Sequence, residues 1–280
     1  MTTVPMDSDR LQASPLAMAR GLWTHKRLIQ QFVSRDISSR YRGSYLGLIW
    51  SFVNPLLLLA VYTVVFSYII KGASFGDEKV GIGTYALYLF AGLVPYNLFS
   101  EVLSRAPAQI TANPNYVKRV VFPLEILTVI NTGAAIVNGA LGIGVLLITE
   151  LALRQQLPWT VVFYPLVIAP LVLIGLGLSW FLGSLGTYVR DISQFIGVLL
   201  QGLLFLSAVF WPINKAPELV RPYLVLNPIA VVAEASRDAL VSGKVPDVVS
   251  LLVWVGIGCL AAWGGYVWFM FTKRGFADVI

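Results

Sequence analysis

Cysteine and histidine are almost missing from this chain: Cys259 and His25 are the only ones in 280 residues. No disulfide can therefore close within one copy, and a Cys/His metal cluster is excluded. Cys259 sits in the apolar run WVGIGCLAAW, where it reads as a small packing residue. Charge is also scarce, at 12% of residues against roughly 25% in soluble domains. With 57% hydrophobic residues, the chain has the composition of a protein that lives in lipid. The G-x-x-x-x-G-K-[ST] phosphate loop is absent, which excludes ATP hydrolysis by that route. No short apolar core followed by a small-residue cleavage site marks a secretory signal, so the first long apolar segment is expected to direct insertion.

What the chain has instead is a basic threshold leading into apolar sequence. RDISSRYRGSYLGLIWSFVNP (35–55) places Arg35, Arg40 and Arg42 within eight residues, and residues 48–70 that follow carry no charge. A basic segment feeding a long apolar one marks entry into a membrane, with the arginines on the cytoplasmic side. Residues 1–15 are polar and read as a loose tail. Residues 16–34 mix Leu22, Trp23, Leu28, Ile29, Phe32 and Val33 with Arg20, His25, Lys26 and Arg27. That pattern suits an amphipathic helix lying in the membrane interface, or one packed on other protein. Spanning helices need about 20 apolar residues, and residues 47–70, 82–103, 124–149, 160–188, 193–210 and 250–271 supply six candidates. The fourth contains Pro165 and Pro170, which predict a kink or a later start.

Six crossings return both termini to one side. With the N-terminus inside, thirteen of the twenty Lys and Arg residues fall in inner segments and seven in outer ones. The bias favours cytoplasmic termini. It also explains the net charge of +6 through topology and anionic lipid, so nucleic acid is not an expected partner. Two connections are long enough for structure of their own: the inner 105–123 and the outer 211–249. The outer one holds Pro212, Pro217, Pro222, Pro228 and Pro246 between apolar stretches too short to span. Re-entrant or interfacial helices suit it, because irregular backbone at membrane depth must be covered by protein or line a water cavity. A simple outer cap is the alternative.

Chemistry-bearing side chains are poorly placed for catalysis. The central parts of the six segments hold no Asp, Glu, Lys, Arg or His, and Glu101, Glu125 and Asp191 are isolated in sequence. Ion-driven carriers normally need ionisable groups at membrane depth, so uphill transport would draw its energy from another subunit.

Three separated runs carry a resemblance: RDISSRYRGSYLGLIWSFVNPLLLLAVYTVVF, NPNYVKRVVFPLEIL and FWPINKAPELVRPYLVLNPIAVVAEASRDAL. Together, in this order, they resemble the permease subunit of bacterial ABC transporters that export polysaccharides, most closely the O-antigen exporters. The resemblance covers about residues 32–274. It implies an all-α protein of the bacterial inner membrane with six spans (35–280), a preceding interfacial helix (16–34) and short outer re-entrant helices. It further implies a homodimer, a cytoplasmic ATPase dimer that binds the ATP and magnesium, and a lipid-linked polysaccharide moved along the dimer interface. No catalytic, cofactor or metal site is expected in this chain.

The resemblance also assigns expected roles. Asn113, Pro114, Tyr116, Lys118 and Arg119 match the short helix that couples to the ATPase; the plain alternative is a basic loop against lipid phosphates. Trp211, Pro212, Asn227, Pro228, Glu234 and Arg237 fall in the outer gate motif. Arg35, Arg40 and Arg42 stand where an anionic lipid-linked headgroup, lipid phosphates and the ATPase would compete. The aromatics Trp50, Tyr62, Phe66, Tyr88, Tyr96 and Phe99 of the first two spans are candidates for stacking on sugar rings, against interfacial anchoring or packing. Two other functions fit part of the sequence: an ABC permease for a drug or small lipid, and a membrane-embedded enzyme acting on lipid-linked sugars.

Overall fold

Ser14 caps the first described helix, its hydroxyl accepting from the Ala17 amide 3.1 Å away, with Pro15 next, where its missing N–H costs nothing. A computed structural model describes residues 14–40, 42, 45, 49–65, 82–118 and 122–280. Most of the expected tail, Phe66, Arg119 and the side chain of Tyr62 lie outside the described residues.

Helix α1 (Pro15–Thr24) and α2 (Lys26–Arg40) meet at His25, and α3 covers Trp50–Val64. Next come α4 (Ile82–Arg105), the one-turn α5 (Pro114–Val117), α6 (Ile126–Arg154) and α7 (Tyr164–Tyr188). Helix α8 (Ile192–Leu206) leads into the short α9 (Arg221–Val225), α10 (Pro228–Arg237), α11 (Val248–Thr272) and the terminal α12 (Phe276–Val279). The chain is an all-α integral membrane protein: among the described residues four helices, α4, α6, α7 and α11, are long and apolar enough to cross a bilayer. Helices α3 and α8 are apolar but shorter.

Boundaries shift where local chemistry decides them. Helix α2 runs on to Arg40, so Arg35 and Arg40 are helical and do not belong to a linker. No Gly or Pro interrupts it, and Ser38 and Ser39 turn their hydroxyls back onto the Ser34 and Asp36 carbonyls. The fourth apolar segment starts with a 3₁₀ turn (Trp159–Phe163), and its α-helix begins at Tyr164 with Pro165 in the first turn. Helix α11 is capped by Asp247, which accepts from the Val249 and Ser250 amides, a contribution of about 1 kcal/mol.

Helix α4 is the centre of the packing. Leu87, Leu89, Phe90, Ala91, Leu93, Val94, Phe99, Val102 and Leu103 are all buried, against α6, α7, α8 and α10. Helices α7 and α11 form the closest pair. A methyl group on Gly177 would overlap the Ala261 carbonyl, and one on Gly265 would overlap the carbonyl of Gly177. Backbones approach this closely only through small residues, and in lipid such packing supplies much of helix association. The α11 seam runs Gly258, Ala262, Gly265, Phe269. Cys259 is one position, about 100°, off that seam and is exposed, so it does not pack as the sequence suggested.

Polar segments collect at two opposite ends. One end gathers α1, α2, α5 and the C-terminus: Phe32, Met18, Tyr116, Phe276 and Ile280 share one apolar cluster, and Lys273 pairs with Glu125 at 3.3 Å. The other gathers residues 150–163 and 207–247, where Thr160 donates to the Ala239 carbonyl at 2.7 Å and Arg154 to that of Val241 at 2.8 Å. Both chain ends of the described protein therefore lie at the same end.

Candidate functional site

Two polar clusters, one at each end of α4, hold most of the residues singled out above. At the end carrying the termini, Asp36 and Arg40 are one turn apart on α2 and pair at 2.8 Å. Arg40 also grips Glu101 of α4, and Arg105, one turn further along α4, reaches back to Asp36 at 3.1 Å. Asn138 of α6 donates to both oxygens of Glu101, at 3.1 and 3.0 Å, and Asn131 donates to the Val102 carbonyl at 3.0 Å. Burial alone would raise the Asp36 carboxyl, but hydrogen bonds from Arg40 and Arg105 and their positive charge outweigh it and hold it below its ordinary range. Helix α2 is thus bound by charge to α4, and α4 by amide to α6.

Beside this network lies the short α5. Asn113 stands at its N-cap, followed by Pro114, and turns its own amide to the Gln109 carbonyl at 2.9 Å. Tyr116 stacks on Phe122 with centroids 4.5 Å apart and meets Phe32 of α2 edge-on at 5.8 Å. Arg35 donates to the Tyr116 hydroxyl at 3.3 Å and lies 5.2 Å from the Phe32 ring. Gln109 fastens the preceding turn, donating to Thr128 of α6 at 2.8 Å and to the Ser179 carbonyl of α7 at 3.1 Å. Lys118 is exposed. A cleft of about 660 Å³ between α2 and this segment is lined by Arg35, Asp36, Arg105, Asn113 and Tyr116. Of the three threshold arginines, Arg35 and Arg42 are exposed, while Arg40 is held by two carboxylates.

At the opposite end the organising residue is Arg237, 2% exposed. It pairs with Glu234 at 2.9 Å and donates to the carbonyls of Tyr88 at 3.2 Å, Ala208 at 2.9 Å and Val209. Ala208 takes the left-handed conformation, φ 51°, which costs a non-glycine residue roughly 1–2 kcal/mol. The turn aims the freed carbonyls after α8 at the guanidinium. This is why α8 stops at Leu206 where apolar sequence alone runs on to Phe210. Asn227 closes the same corner, capping α10 at Ile229 and donating to the Ser207 hydroxyl at 3.0 Å. Pro228 opens α10, Pro212 is buried, and Trp211 keeps 37% of its surface exposed.

The aromatics divide. Tyr96 and Phe99 are buried inside the helix bundle, and the Tyr96 hydroxyl donates to the Leu200 carbonyl at 2.6 Å. Tyr88 is half-buried and hydrogen bonded to Ser242 at 3.1 Å, near the Arg237 end. Trp50, also half-buried, begins α3. Sequence reasoning missed the carboxylate partners of Arg40. The spacing of Asp36 to Arg40 and of Glu101 to Arg105 on single helix faces carried the signal, but only if α2 extends past Val33. Among the described residues no group of three His, Cys, Asp or Glu side chains is placed to hold a metal.

Comparison with known proteins bears on the whole chain. Over 267 residues it is 25% identical to the O-antigen export system permease protein RfbA of Myxococcus xanthus, an alignment covering 95% of this chain and 100% of that protein. A Klebsiella pneumoniae protein of the same name is 24% identical over 82% of this chain and 86% of its own length. The polysialic acid transport protein KpsM of Escherichia coli is 25% identical over 84% and 89%. The model of the ABC-2 type transporter family matches residues 27–241. That match takes in α2, α5, α10 and both polar clusters, and the chain belongs to the ABC-2 type transporter family.

Proposed function

We propose that this chain is the membrane permease of an ATP-driven exporter of lipid-linked polysaccharide, working as a homodimer on a cytoplasmic ATPase dimer that binds ATP and magnesium. The observation that carries the reading is the near end-to-end alignment with a permease named for O-antigen export. The geometry supports it. Helix α5 and the turn before it are fastened to α6 and α7 through Gln109, and to α2 through Tyr116 and Arg35. A push on Lys118 or α5 would therefore move α6, α7 and the interfacial α2 together.

In this reading α1 and α2 lie in the cytoplasmic interface, with the exposed Leu16 and Trp23 toward lipid. Six helices cross: α3, α4, α6, α7, α8 and α11. Helix α8, 15 residues long, gives about 22 Å at 1.5 Å per residue, short of the roughly 30 Å hydrocarbon core. Its carbonyl-rich end at Ala208 then sits below the outer surface, covered by α10 as a re-entrant gate helix. Both termini are cytoplasmic. Exposed Arg35 and Arg42 would meet the anionic headgroup, whereas Tyr96 and Phe99 would serve the protomer's packing and leave Trp50 and Tyr88 as candidates for the path.

Affinity purification of the chain from its native membranes tests this. An ATP-binding subunit should co-purify in equal amount, and replacing Lys118 and Arg119 by Glu should leave ATP hydrolysis running while export falls. Recovery of the chain without any ATPase overturns the proposal.

A further inference from the structure

Helix α4 is covered on nearly every side, and the stripe left open is polar. Among its described side chains only Asn97 and Ser104 are exposed, with Ser100 and Glu101 half-buried beside them. Positions 97, 101 and 104 share one face of an α-helix. An apolar helix with its single open face made of amide, carboxylate and hydroxyl groups is inverted for contact with lipid, where unpaired polar groups are costly.

The stripe opens into a pocket of about 190 Å³ between α3, α4 and α6, ample for several waters or the edge of a sugar ring. Asn54 and Pro55 of α3 line it from one side, Asn97 and Glu101 from another, and Asn138 with Gly139 from the third. Asn54 is exposed, as is Asn97. Pro55 offers no N–H to the carbonyl one turn before it. The Asn138 amide nitrogen is engaged by Glu101, while its carbonyl oxygen is buried with no donor among the described residues. Asn97 lies eight residues, about 12 Å, inside the Arg105 end of α4.

The chemistry narrows the occupant. The Glu101 charge is compensated by Arg40, so the pocket attracts no cation, and with no Lys, Arg or His among its described lining residues it holds no positive group for a phosphate. Acyl chains would leave the exposed Asn54 and Asn97 carboxamides facing hydrocarbon. What remains is a neutral ligand rich in hydroxyl groups. We propose that the groove between α3, α4 and α6 is a hydrogen-bonding site at membrane depth for carbohydrate, with the exposed Asn54 and Asn97 making the contacts and the Glu101–Asn138 pair, held by Arg40, forming its wall. This rests on the export reading above and names the part of the protomer that meets the sugar chain.

Cys259→Ala removes the only cysteine, so single cysteines can be placed at will. In membranes that contain the partner ATPase, Asn97→Cys should react with a water-soluble thiol reagent at a rate comparable with Ser104→Cys, and severalfold more slowly when the cells are making polymer than when polymer synthesis is blocked. An inert Asn97→Cys beside a reactive Ser104→Cys means lipid covers the stripe and overturns the proposal. Equal rates with and without polymer overturn carbohydrate as the occupant. Independently, Asn97→Leu should lower surface polymer about three- to tenfold, the worth of one lost hydrogen bond, with Asn97→Ser near wild type. Export undiminished in Asn97→Leu also overturns it. Should Asn97→Leu not accumulate, Asn54→Leu, on the other wall, takes its place with the same two outcomes. If the unmodified chain exports no polysaccharide under any condition, it is the underlying export reading that has failed.

Discussion

The two ends of α4 secure their arginines in opposite ways. Arg237 is buried and donates mainly to backbone carbonyls, those of Tyr88, Ala208 and Val209, which cannot be exchanged without unravelling the turn after α8. Arg40 and Arg105 meet carboxylates, and their side chains stay 20% and 38% exposed. Partly exposed pairs are held weakly and trade partners readily. The comparison sets a scaffold fixed in backbone at one end against a latch of partly exposed ion pairs at the other.

The largest expected effect breaks the scaffold. Arg237→Ala leaves Glu234 and several buried carbonyls without their donor and should cost roughly 3–5 kcal/mol, read as loss of monodisperse protein after detergent extraction. Arg237→Lys should recover only part of it, since a point charge cannot serve so many carbonyls at once. A fully stable Arg237→Ala protein would remove the contrast between the ends.

A smaller effect should open the latch. Glu101→Gln keeps the side chain's shape but removes one of the two carboxylates that hold Arg40, at a cost of about 1–3 kcal/mol. Thermal stability should fall only modestly, while ATP hydrolysis in the assembled transporter should become less dependent on substrate. Unchanged coupling would make the network structural only.

The smallest effect concerns pH. Asp36 is held below its ordinary range by Arg40 and Arg105, so its contribution is present above the unfolded value of about 3.9 and is lost as pH falls through the lower folded value. The melting temperature in detergent should therefore decline below about pH 4, and Asp36→Asn should flatten that part of the curve. An identical acid limb in both proteins would show that other carboxyls control it.

Much of this was legible in the sequence because apolar length and charge depletion are local properties. Each of the six expected segments contains a helix, although the third starts only at Ile126 and the fifth ends at Leu206, and the short helix α5 begins at Asn113 and Pro114. Arg237 was legible only as a motif residue. Its burial depends on Ala208 and Tyr88, 29 and 149 positions away, and no local pattern encodes that. The positive-inside count was blurred for the same reason, since it weighed Arg237 and Arg154 as surface charges although one is buried and the other is paired with Glu150 and the Val241 carbonyl. The pairing of Arg40 with Glu101 joins residues 61 apart and became visible only once α2 was seen to reach Arg40.

The export reading is tested most directly by following the polymer itself in cells deleted for this chain. Lipid-linked polysaccharide should accumulate inside the inner membrane and disappear from the surface, and a wild-type copy should restore it. Surface polysaccharide at the normal level in the deletion strain would contradict the account.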